Sequence, residues 1–294
     1  MVDFMSDKTN TMGKIKKNGK KVAHNATFNP IVEIMARLGY AARGLIYFVM
    51  GLLTFLLAFG KSGKTTDQQG AIATIGTQSQ GKILLWLIFI GLICYSLWGL
   101  IRAVLNPFHK EHDKKGNVER AGYLFSGIAY ALLAIPTYAL ITGGAKPAHN
   151  GAQGVQIQQY VAKVLAMPMG QLMVGIIGTL VIVVGIFQVF QALRPNFDVQ
   201  LHLVKLTKTQ VKFVKDLGRA GTAARGIIIA LAGIFIAAAS YTANSNNAKG
   251  FDSTVKSLLN VPYGLFLMGI IAIGLISLGI YSLCVSLYFR LRKF

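Results

Sequence analysis

Six apolar runs, at roughly 39–59, 83–105, 122–142, 169–193, 221–243 and 263–289, are each long enough to cross a bilayer. A hydrocarbon core of about 30 Å takes about 20 apolar residues at helical rise, and unpaired backbone groups cannot be left in lipid. The runs therefore predict six transmembrane helices and leave little room for another fold. Composition agrees, since 53% of the 294 residues are hydrophobic and 14% are charged. A soluble globular domain carries about 25% charged residues. No Asp or Glu falls inside any run, and the two cysteines, Cys94 and Cys284, lie within runs, so no disulfide framework is expected.

The charges outside the runs set orientation. Of the 30 Lys and Arg, 23 lie ahead of or just inside the start of the odd-numbered runs, or at or behind the end of the even-numbered ones. The other seven are Lys61, Lys64, Lys82, Lys146, Lys163, Lys249 and Lys256. The positive-inside rule then places both termini in the cytoplasm. About 30 polar and basic residues precede the first run, which reads as a retained span rather than a cleavable leader. Residues 1–29 read as a basic, disordered tail.

The odd runs open alike. Arg37, Gly39 and Gly44 share an R-x-G-x4-G frame with Arg120, Gly122 and Gly127, and with Arg219, Gly221 and Gly226. The even runs align more loosely: Gly81, Gly170 and Gly264 precede them, and Ser96, Gly185 and Gly279 follow 15 residues later. Each repeat holds two crossings, so all three share one orientation and imply a pseudo-threefold axis along the membrane normal. The expected fold is an all-α membrane protein of six helices in three parallel two-helix repeats. Repeat 1 spans 30–110, repeat 2 spans 117–197 and repeat 3 spans 217–294, with a basic cytoplasmic helix at 198–220.

This pattern, above all Ala36-Arg37-Leu38-Gly39-Tyr40-Ala41-Ala42-Arg43-Gly44 and its two echoes, resembles the bacterial membrane family known as domain of unknown function 1206. The resemblance implies six spans in three paired repeats in a bacterial plasma membrane. It implies no activity and no functional residues.

Small residues return at heptad spacing in each odd run, as Gly44 and Gly51, Gly127 and Ala134, and Gly226 and Gly233. In lipid, helices associate through close backbone approach at small residues, so these mark the expected packing seams. Arg43 and Arg225 stand one residue ahead of seam glycines, displaced by about 100° around the helix. They are expected at the edge of the interface, reaching outward to lipid phosphate. The alternative is a two-arginine anion site at the cytoplasmic mouth, with Ser126 replacing a third arginine that would repel the others. Three outer connectors carry short amphipathic stretches, Ala71–Ile75, Val155–Leu165 and Phe251–Leu259, expected to lie in the outer interface.

Lys205, Lys208, Lys212, Lys215 and Arg219 are spaced 3, 4, 3 and 4, which is one face of a helix. A basic amphipathic helix at a membrane surface is expected to bind anionic lipid headgroups. His109, Glu111, His112 and Asp113 form a dense polar cluster, but Lys110, Lys114 and Lys115 oppose a metal cation there, and no metal or other cofactor is expected. No recognised catalytic or phosphate-binding motif occurs, so an enzyme is not expected. No aromatic-interleaved basic module points to nucleic acid. The leading reading is a non-enzymatic membrane protein that binds anionic lipid or a protein partner, itself included, through a basic cytoplasmic face. The alternative is a passive channel or facilitator for an anion or small solute.

Overall fold

The computed structural model describes residues 30–60, 67–105, 114–144, 152–194 and 206–290. Six helices are long and apolar enough to cross a membrane: α1 (Pro30–Ala58), α3 (Gly81–Val104), α4 (Lys114–Thr142), α6 (Gly170–Leu193), α7 (Lys208–Tyr241) and α9 (Gly264–Tyr288). Three shorter helices stand in the connectors, α2 (Gln68–Gly76), α5 (Ala152–Leu165) and α8 (Phe251–Ser257). The chain is thus an all-α, multi-pass membrane protein of three repeats, α1–α3, α4–α6 and α7–α9. The tail at 1–29, Lys205 and the His109–Asp113 cluster lie outside the described residues.

The sequence separates a helix at 198–220 from the fifth span at 221–243. The structure joins them from Lys208 onward, because Thr207 starts the helix with a reciprocal cap to Gln210 and nothing breaks it before Tyr241. Pro136 likewise leaves α4 in one piece. The Thr137 hydroxyl donates to the Leu133 carbonyl, 2.8 Å away, in the turn that the proline loosens.

The six crossing helices form a ring. α1 packs on α3, α3 on α4, α6 on α7, α7 on α9, and α9 on α1. Among the described residues no comparable packing joins α4 to α6. The joints between repeats are built three times in the same way. A Cβ added at Gly44 would stand 3.0 Å from the Gly279 carbonyl oxygen, at Gly127 2.9 Å from that of Ser96, and at Gly226 2.8 Å from that of Gly185. Each odd helix therefore lays its second motif glycine on the backbone of the preceding even helix. Gly51 and Gly233 extend two of these seams against Ile276 and Ile182, and Ala134 is buried in the remaining odd span, α4. These are the small residues that the heptad spacing singles out.

The joints within repeats differ. Gly39 meets the backbone of Tyr95 and Gly221 that of Leu278, whereas Gly122 has nothing within 4 Å. The even helices explain the difference. Gly91 and Gly274, each ten residues into its helix, lie against Ala42 and Ala224. In repeat 2 the corresponding residues are Leu180 and Phe125, 59% and 70% exposed. Two bulky side chains replace a glycine–alanine pair, so α4 and α6 cannot approach as their counterparts do. The ring has one open joint.

The connector helices pack against the long helices. Ala71, Ile72, Ala73 and Ile75 of α2 are buried against α1, α3 and α4. Gln68 of α2 reaches into the ring and donates to the Tyr47 hydroxyl at 2.9 Å. In α5, Val161 is buried with Ile157, Val164 and Leu165 beside it, while Val155 and Tyr160 are turned out.

The motif glycines therefore differ in what they tolerate. Gly39→Ala and Gly221→Ala push a methyl into backbone and are expected to lower stability by about 1–3 kcal/mol. Gly122→Ala is expected to be neutral or stabilising by up to about 1 kcal/mol, from helix propensity alone. Thermal unfolding of the detergent-purified variants measures both, and equal losses at all three positions would refute the open joint.

Candidate functional site

The first arginine of each motif closes the ring's helix ends. Arg37 donates through Nε and Nη2 to the Phe289 carbonyl after α9, at 2.9 and 2.7 Å. Arg120 does the same to Ala103 and Val104 of α3, at 2.8 and 3.4 Å. Arg219 reaches Ala192, Leu193 and Arg194 at the end of α6, at 3.1, 3.4 and 3.0 Å. The last carbonyls of a helix have no partner within it and carry the negative end of its dipole, so a guanidinium serves both needs. Arg219 therefore leaves the lysine row that the 3, 4, 3, 4 spacing assigns to it. Of that row, Lys208 and Lys212 are exposed and Lys215 is half-buried, on the stretch of α7 that extends beyond the end of α6. Val214 and Leu217 on the same stretch pack against the core.

A second set of arginines lies inside the ring. Arg43, six residues or about 9 Å further along α1 than Arg37, donates through Nη1 to the Tyr95 hydroxyl at 2.7 Å. Its guanidinium carbon stands 5.7 Å from the centre of the Tyr47 ring and 5.6 Å from that of Tyr95. Arg225 stands over the same Tyr47 ring at 5.5 Å. Arg102 stacks over Tyr123 at 4.3 Å, with Trp98 and Tyr95 at 5.5 and 5.8 Å. Tyr130 closes the cluster against Tyr95, their ring centres 4.4 Å apart.

This corrects the expectation that Arg43 and Arg225 reach outward to lipid phosphate. Aromatic faces on α1 and α3 offer a guanidinium an attractive field within about 6 Å, and desolvation strengthens it. Among the described residues the ion pairs are Arg37 with Glu33, Arg219 with Asp216 and Lys256 with Asp252, none of which neutralises the three inner arginines. Arg43 Nε and Arg102 Nε are buried with no hydrogen-bond partner among those residues. The cluster is a positively charged, aromatic-packed region inside the ring.

Arg102, Tyr95 and Trp98 are not among the sequence-predicted site residues. Arg102 was counted among the charges outside the spans, although it is only 8% exposed. The signal was the spacing 95, 98 and 102, which places all three on one helix face.

At the other end of the ring two carboxylates are buried. Asp67 accepts from the Gly70 and Gln153 backbone N–H groups at 2.8 and 2.9 Å, tying the starts of α2 and α5 together. Burial holds its carboxyl above the usual carboxylate range, opposed by those two hydrogen bonds and reinforced by the charge of Asp252. Asp252 is itself paired with Lys256 at 3.4 Å. The folded chain keeps the Asp67 proton longer than the unfolded chain does. This contribution to stability is therefore present at low pH and lost as pH rises from the ordinary carboxylate value through the raised one. Asp67→Asn is expected to flatten this slope; melting temperatures across the mildly acidic range measure it, and an unchanged slope would exclude Asp67 as its source.

No solved structure matches the chain. Uncharacterized protein YxxB of Bacillus subtilis (strain 168) is 32% identical over 268 residues, covering 91% of this chain and 92% of that one. The family described as Domain of Unknown Function (DUF1206) matches three times, at 38–106, 121–194 and 220–288, which are the three structural repeats. With the whole ring accounted for in this way, the chain belongs to the DUF1206 family.

Proposed function

We propose that the protein is a non-enzymatic membrane protein that binds anionic lipid through a basic cytoplasmic face, with the arginine end of the ring and both termini inside the cell. The observation that carries this reading is the exposed row of Lys208 and Lys212, with half-buried Lys215 beside them, on a helix whose apolar side is held by the core. A basic side chain near an anionic surface contributes about 1 kcal/mol, and a rigid helix holds the row at a fixed height. The charge asymmetry of 23 against seven basic residues supports the orientation. The channel alternative finds less support, because Tyr47, Tyr95 and Tyr130 fill the ring and α2 covers its other end.

Spin-labelled phosphatidylglycerol and phosphatidylcholine in vesicles holding the full chain test the reading. Preferential association of the anionic lipid is expected, weakening with added salt and by about 1 kcal/mol for each charge removed in Lys208→Gln and Lys212→Gln. Equal association of both lipids at low salt would end it.

A further inference from the structure

The inner arginine cluster touches α4, one wall of the open joint between α4 and α6, through Tyr123 and Tyr130. On α6, Ile177, Leu180 and Val184 are exposed by 45%, 59% and 50%. Their counterparts are buried in both other repeats: Ile88, Gly91 and Tyr95 in α3, and Ile271, Gly274 and Leu278 in α9. On α4, Gly122, Phe125 and Ala129 are exposed where Gly39, Ala42 and Ile46, and Gly221, Ala224 and Ile228, are buried. One face of each helix thus lacks the partner that the repeat supplies elsewhere. The next residues around α4 belong to the cluster: Tyr123 under Arg102, Tyr130 against Tyr95, and Ser126 where the other repeats carry Arg43 and Arg225.

We infer that this cleft is a lateral binding site for a single anionic phospholipid, its acyl chain lying between α4 and α6 and its phosphate facing Arg43, Arg102 and Arg225. Charge complementarity selects the occupant. A neighbouring apolar helix would fill the cleft but leave three guanidiniums without a counter-charge, and a free anion would meet the charge but leave an apolar wall uncovered. An amphiphile with a negative head satisfies both. Phe125 and Leu180 stand exposed where the other repeats close on a glycine–alanine pair, and Ser126 leaves the α4 wall without the third motif arginine. The inference goes beyond the proposed function, since the lysine row lies on a different surface.

Native mass spectrometry of the full chain released from vesicles of phosphatidylglycerol and phosphatidylcholine tests it. The wild type is expected to retain one phosphatidylglycerol. Phe125→Ala with Leu180→Gly restores the small pair of the other repeats and is expected to cut retention at least tenfold while the arginines remain. Ala129→Trp fills the cleft without closing it and serves if the double variant does not fold. Arg225→Gln is expected to leave lipid bound but with no preference for the anionic headgroup. Lys208→Gln with Lys212→Gln is expected to keep the bound lipid, so failure of the proposed function and failure of this inference are separate results. Undiminished retention in both cleft variants overturns the site. So does displacement by glycerol phosphate alone, or a dimer that dissociates when the cleft is closed.

Discussion

In lipid, apolar side chains gain little by exchanging hydrocarbon for one another, so helices hold together where their backbones come close. In this protein that approach happens where the second motif glycine of each odd helix meets a carbonyl of the preceding even helix. Three such seams join the repeats, and other features hang on them. They set the height at which Arg37, Arg120 and Arg219 meet the carbonyls ending α9, α3 and α6. The motif thus couples two needs of one joint, close packing and the neutralising of a helix end.

The joints within repeats obey the same rule and give a different outcome. Alanine against glycine closes repeats 1 and 3, while repeat 2, with Phe125 and Leu180 at those positions, stays open. The departure from threefold symmetry is concentrated at one joint and not spread around the ring. Beside that joint stands an excess of positive charge inside an apolar bundle. Isolated cations there would be strongly disfavoured, and the aromatic faces of Tyr47, Tyr95 and Tyr123 reduce the penalty without cancelling the charge.

The far end of the ring follows different chemistry. Buried Asp67 bridges the starts of α2 and α5, and Gln68 ties α2 to Tyr47, so the connectors are held by polar bonds in a region the sequence marks only as weakly amphipathic. Short helices of this sort could lie on a membrane or on their own protein with similar side-chain patterns. Which they choose depends on whether the bundle offers them an apolar end.

Six spans, three parallel repeats and the glycines of the seams were legible in the residues, because length, hydropathy and heptad spacing are local properties that lipid enforces directly. The row of lysines was legible as a helix face, but not its loss of Arg219 to the end of α6, since that depends on a residue 27 positions away. Arg43 and Arg225 were placed one slot from the seam, yet only packing decided that both turn onto Tyr47, because their direction depends on aromatic faces brought from other helices. Phe125 and Leu180 are plain in the sequence as apolar residues in apolar runs. That the helices carrying them stay apart shows only in the tertiary structure, which leaves both side chains exposed where the other repeats bury a glycine–alanine pair.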